Sequence, residues 1–191
     1  MRCALLTAVL LISLGDIGLR GPAAAQQPLP LSRQERNFIA EALSDSMAER
    51  ALGKLAQDRA ETDMVRDFAR RVVDEHGQMA DRLLDMAERH DIPVPRELTR
   101  IARLGMESLR DTPEEAFDRR YIAAEEETHA RSIKLFEAQA ERSGETAAFA
   151  RETLPMLHAH FEEARGIAAD LSRRPSLPQT QAPPGVSGSS E

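Results

Sequence analysis

Four stretches of this chain carry residues at alternating four- and three-residue intervals, and that rhythm is what most limits the fold. The first runs through Phe38, Ala42, Asp45, Glu49, Leu52 and Ala56. The second runs through Val65, Ala69, Val72, His76, Met79, Leu83 and Met86. The third takes Ile122, Glu126, His129, Ile133, Phe136 and Ala140, and the fourth Thr153, Leu157, His160, Ala164, Ile167 and Leu171. Such spacing marks the seam that an α-helix turns toward its neighbours in a bundle. Nothing alternates with period 2 for long, so strands are not expected. Near its middle each seam carries a carboxylate or an imidazole, a group that is costly to bury without a partner.

Local signals place the ends of these helices. Ser32-Arg33-Gln34-Glu35 reads as a capping box, which starts a helix spanning about 33–59. A second helix is expected from Thr62 or Asp63 to about His90, where Pro93 and Pro95 prevent continuation. Residues 96–110 hold a weaker amphipathic stretch, a short helix within a long connection. Thr112-Pro113-Glu114-Glu115 starts the next long helix, with Thr112 as N-cap, and Gly144 follows its end near Arg142. The last helix runs from about Glu145 to Ser172, with Pro155 expected to kink or divide it and Thr153 to cap the second part. Two short connections and one long one predict an all-α, ferritin-like four-helix bundle, two helical hairpins joined by a long crossover with a short helix. A faint repeat, Ala56-Gln57 then Phe68-Ala69-Arg70 against Ala138-Gln139 then Phe149-Ala150-Arg151, points to duplicated hairpins.

With 191 residues the chain suits one domain, and with aromatics at 4% its core must come from Leu, Ala, Met, Val and Ile. Residues 1–25 read as an export signal: Arg2, the apolar run Ala4–Leu14, then Ala23 and Ala25 in a small-x-small cleavage pattern. The run is shorter than the roughly 20 residues that span a bilayer. The expected division is signal 1–25, linker 26–32, bundle 33–173 and a proline-rich disordered tail 174–191, in a periplasmic or secreted protein. Cys3 falls in the signal, which leaves the mature chain without a thiol ligand or nucleophile. The net charge of −7 disfavours nucleic acid and anionic lipid. The sequence names no partner, and self-association stays open.

The mid-seam groups fall at similar heights. At about 1.5 Å of rise per residue, Glu49 lies about 15 Å, and His76 about 20 Å, from the turn joining the first two helices. If the crossover sets the third long helix parallel to the second, Glu126, His129 and His160 fall near the same level. Glu126 and His129 form a Glu-x-x-His pair, and Glu125, one turn before His129, is an alternative. A bridged di-iron site needs a second such pair, but Val73 and Leu157 occupy the positions three before His76 and His160. Glu49, His76, Glu125 or Glu126, His129 and His160 are therefore the candidate ligands of a single zinc, copper or iron ion. The competing reading is an envelope stress or interaction protein in which a buried Glu–His network only fixes helix register. Met79 reads as core filling, with a soft copper ligand as its other reading. No phosphate loop or nucleophile elbow is present, so an enzyme is not the favoured reading.

Several of these residues also sit in larger motifs. Phe38 with Met47–Ala56, Val72-Val73-Asp74-Glu75-His76, Phe117–Tyr121 with His129, and Leu154-Pro155 with His160 occur in this order. Together they resemble an exported bacterial family catalogued as domain of unknown function 4142 and described as ferritin-like. Here Glu75 stands where that family usually has Asp, and Glu125 where Gln is common. The resemblance covers about residues 33–172 and implies a four-helix bundle in the cell envelope, without supplying a role.

Overall fold

Ser32 begins the first helix by local chemistry alone. Its hydroxyl accepts a hydrogen bond from the Glu35 amide, and the Glu35 carboxylate accepts one from the Ser32 amide at 2.8 Å. The computed structural model describes residues 30–173. The expected signal, most of the linker and the expected tail lie outside the described residues. Five helices follow: α1 (Arg33–Arg59), α2 (Asp63–Arg89), α3 (Arg100–Arg110), α4 (Glu114–Ala140) and α5 (Glu145–Arg173). Thr62 and Thr99 cap α2 and α3 with their hydroxyls. Gly144 takes φ +94° in the tight turn between α4 and α5, a conformation that favours glycine.

Three expectations about the helices are corrected. Thr112 does not cap α4: its hydroxyl donates back to the Ser108 carbonyl, and Pro113 occupies the N-cap without a side-chain bond. Pro155 does not divide the last helix, because α5 runs through it unbroken. Pro155 and Arg151, whose carbonyl loses its intrahelical donor, are both exposed, so the loss falls on the solvent side of the helix. Thr153 is no cap either, since its hydroxyl donates to the Phe149 carbonyl one turn earlier.

Helix α1 packs along α2, and α4 along α5; the two hairpins meet through α1 against α4 and α2 against α5. Contacts along those seams set the directions. Phe38 meets Phe136 and Arg59 lies over Phe117, so α1 and α4 are antiparallel. Arg71 pairs with Glu163, Arg82 with Glu152 and Arg89 with Glu145, so α2 and α5 are antiparallel too. These exposed ion pairs contribute little stability, but they fix a single register. Helix α4 therefore runs parallel to α2, as a long crossover allows. At the turn between α1 and α2, the buried Asp118 of α4 accepts from the Glu61 and Thr62 amides, both at 3.0 Å. Among the described residues there is no strand, and no helix is long and apolar enough to cross a membrane.

The core is split in two. One apolar cluster gathers Phe38, Leu43, Leu83, Phe136, Phe149 and Leu157. The other gathers Phe68, Val72, Phe117, Tyr121, Ile122 and Ile167. Burial of each such side chain is worth about 1.5–3 kcal/mol. Between the two clusters lies a layer of buried polar groups.

Candidate metal centre

The polar layer draws one or two groups from each long helix. Glu49 comes from α1, His76 from α2, Glu125 and His129 from α4, and His160 from α5, each 3% exposed or less. Their depth follows from the seams, because each occupies a position where its helix would otherwise present an apolar residue. Glu126, one position on from Glu125 and so turned about 100° around the helix axis, is half-buried and joins no candidate ligand group. The choice between Glu125 and Glu126 falls to Glu125, which faces α1. His158 is exposed, and His90 pairs with Glu145 at the far end of the bundle.

His76, His129 and His160 converge on one point. His76 Nε2 lies 3.3 Å from His129 Nε2, and His129 Nε2 lies 3.2 Å from His160 Nδ1. Three imidazole nitrogens on a tetrahedral ion at about 2.0–2.1 Å stand about 3.3 Å apart. His129 Nδ1 donates to the Glu125 carbonyl at 2.9 Å, which leaves its Nε2 as a lone pair aimed at the other two rings. A single sp² lone pair accepts one well-aligned N–H, so hydrogen bonding alone leaves one of the two contacts unsatisfied. A cation accepts all three lone pairs at once.

The same histidine joins a second group. A carboxylate oxygen from each of Glu49 and Glu125 and a ring nitrogen of His129 lie within 4.8 Å of one another. Glu125 Oε2 stands 3.4 Å from His129 Nδ1, the nitrogen that faces away from the other imidazoles. Glu125 thus sits behind His129 and orients it, as outer-shell acids do for metal-bound imidazoles, while Glu49 meets Glu125 from α1 in a group that could itself hold a cation. Glu75, on α2, plays a similar part behind His160, with Oε2 2.9 Å from Nε2. That contact has the distance but not the alignment of a hydrogen bond, so Nε2 stays without a proper partner. Glu75 was no candidate from the sequence, because it lies off the His76 seam; in the structure its side chain is 42% exposed. The only signal for it was its place directly before His76 in the second motif.

Burial sets the protonation states. It pushes His76 well below the ordinary imidazole range, with His129 and His160 adding to the effect, and brings His160 down to about 4. Both rings are therefore neutral near pH 7, the form that coordinates a metal. Burial also raises Glu125 to about 7 and, with the neighbouring Glu125 charge, lifts Glu49 well above the carboxylate range. Glu49 Oε2, Glu125 Oε2, His76 Nδ1 and the Tyr121 hydroxyl are all buried without a hydrogen-bond partner. So many orphaned polar atoms in one layer are unusual for a folded core.

Known proteins supply the fold and a family. No curated protein matches the chain. Among solved structures, a crystal structure of a DUF305 fragment from Deinococcus radiodurans superposes with a TM-score of 0.68 at 16% identity. That match covers 74% of this chain and 99% of the fragment, and at such low identity it speaks for the fold only. The family model of domain of unknown function 4142 matches residues 20–167, and the chain therefore belongs to that family.

Proposed function

We propose that this protein is an exported, non-enzymatic four-helix bundle that holds one transition metal ion at its centre. His76, His129 and His160 supply the ligands, while Glu125, Glu49 and Glu75 form the outer acids. The observation that carries this reading is the pair of nitrogen–nitrogen separations, 3.3 and 3.2 Å, that meet at His129 Nε2. Three imidazoles with no thiolate suit zinc, copper or iron, and a carboxylate-bridged pair of irons lacks its acids. Export rests on the N-terminal pattern of Arg2, the apolar run Ala4–Leu14 and Ala23-x-Ala25.

A second reading keeps the cluster and omits the ion. The separations between the rings also allow N–H···N hydrogen bonds, and a buried polar network can specify which helices pair. Metal analysis of protein purified without a histidine tag, after loading with zinc, copper and iron in turn, separates the two. About one equivalent in the wild type, lost in His76→Leu, is expected of a three-ligand site. Less than about a tenth of an equivalent with every ion leaves only the structural network.

A further inference from the structure

Of the three acids around the histidine centre, Glu49 and Glu75 each line a different surface cavity. Glu49 forms part of a cavity of about 710 Å³ between α1, α3 and α4. Glu75 forms part of a cavity of about 400 Å³ between α2 and α5. The two differ in charge. The Glu49 cavity carries three guanidinium groups, Arg119, Arg120 and Arg131, which balance the carboxylates of Asp45, Glu49 and Glu127 in the same wall, with Arg131 paired to Glu127 at 2.8 Å. The Glu75 cavity carries Glu75 and Glu152 against Arg82 alone, and Arg82 is already paired with Glu152 at 2.6 Å. A cation approaching the centre meets a favourable field on the Glu75 side only. There it also finds a direct step inward, since Glu75 Oε2 lies 2.9 Å from His160 Nε2.

The donors lining that cavity differ as well. Met79 and Met156 both contribute to its wall. Met79 follows His76 by three residues and Met156 precedes His160 by four. On antiparallel helices these offsets place both thioethers about one turn from the triad, at the same end. Met79 is almost fully buried and Met156 half-buried, so the pair leads from solvent toward the core. Thioethers are soft, uncharged donors that favour copper(I) and have little affinity for zinc.

We propose that Glu75, Met79 and Met156 form an entry port through which copper(I) reaches the His76–His129–His160 centre. The proposal rests on the reading of that centre as a metal site, and it adds the route and the ion. The test follows loading of apo-protein by stopped flow, anaerobically, from a chromophoric copper(I) complex and separately from a zinc–indicator complex. A Met79→Leu/Met156→Leu variant keeps the volume of the wall and removes the sulfur. It is expected to slow copper(I) loading about tenfold or more, leave zinc loading within about twofold and leave the final copper occupancy unchanged. Arg119→Glu, in the other cavity, is expected to change neither rate. Copper(I) loading at the wild-type rate in the methionine variant overturns the port while leaving the centre intact, and so does faster loading in Arg119→Glu. A wild-type protein that takes up neither ion overturns the centre, and the port with it.

Discussion

His76 Nε2 and His129 Nε2 stand 3.3 Å apart although their helices, α2 and α4, occupy diagonal corners of the bundle. Only long side chains reaching the axis can meet across that diagonal. The ring nitrogens that face the axis, His76 Nε2, His129 Nε2 and His160 Nδ1, therefore meet one another, and orientation falls to the groups behind the rings. Glu125 holds His129 through its carbonyl at 2.9 Å and its carboxylate at 3.4 Å, whereas Glu126 joins neither ligand group. Replacing an outer-shell acid typically lowers metal affinity by about 10- to 100-fold. Glu125→Gln is expected to fall in that range and Glu126→Gln to stay within about twofold of the wild type, as read by competition with a zinc indicator. Equal losses in the two variants argue against the assigned register of α4.

The two helices of the first hairpin touch at Gly53. A Cβ there meets Val73 Cγ2 at 2.7 Å and the Ala69 carbonyl oxygen at 3.1 Å. Valine has one favoured rotamer in a helix, and the backbone oxygen cannot retreat cheaply. Gly53→Ala is expected to destabilise the fold by about 1–3 kcal/mol despite the higher helix propensity of alanine. Gly166, mid-helix in α5, has open space around its Cβ direction. Gly166→Ala is expected to stabilise by about 0.5–1 kcal/mol. Urea unfolding of the two variants, read side by side, checks both signs.

Asp45 supplies a pH signature outside the histidine cluster. Burial, with help from Glu41, raises its pKa from 3.8 to about 6, and Arg131 opposes the rise. The folded state thus holds this proton more tightly than the unfolded chain. The contribution to stability is present below pH 4 and is lost as pH rises through about 6. Asp45→Asn is expected to match the wild type near pH 4 and exceed it by about 1–2 kcal/mol above pH 7, a figure reduced for the partial exposure of the side chain. Denaturant unfolding at the two pH values measures the difference; a variant less stable than wild type at both contradicts the assignment.

Much of the fold was legible because its signals are local. The Ser32–Glu35 capping box, the Thr62 cap and the glycine at position 144 each act through neighbours a few residues away. What failed were judgements about water and about facing helices. Pro155 reads as a break, yet it lies on the solvent side of α5, where a missing helix hydrogen bond costs least. Glu125 and Glu126 both fit a helical seam to within one position, and only α1, carrying Glu49, makes Glu125 the inward one. Glu75 could not be found by rhythm, because it lies about 100° off the His76 seam. The antiparallel placement of α5 brings it to His160.

X-ray absorption of the zinc-loaded protein tests the central claim most directly. Three imidazole nitrogens at about 2.0–2.1 Å, with the multiple-scattering pattern of histidine rings, are predicted. Loss of that imidazole shell is predicted in His129→Leu, as in His76→Leu. A first shell of oxygens without imidazole scattering contradicts the account.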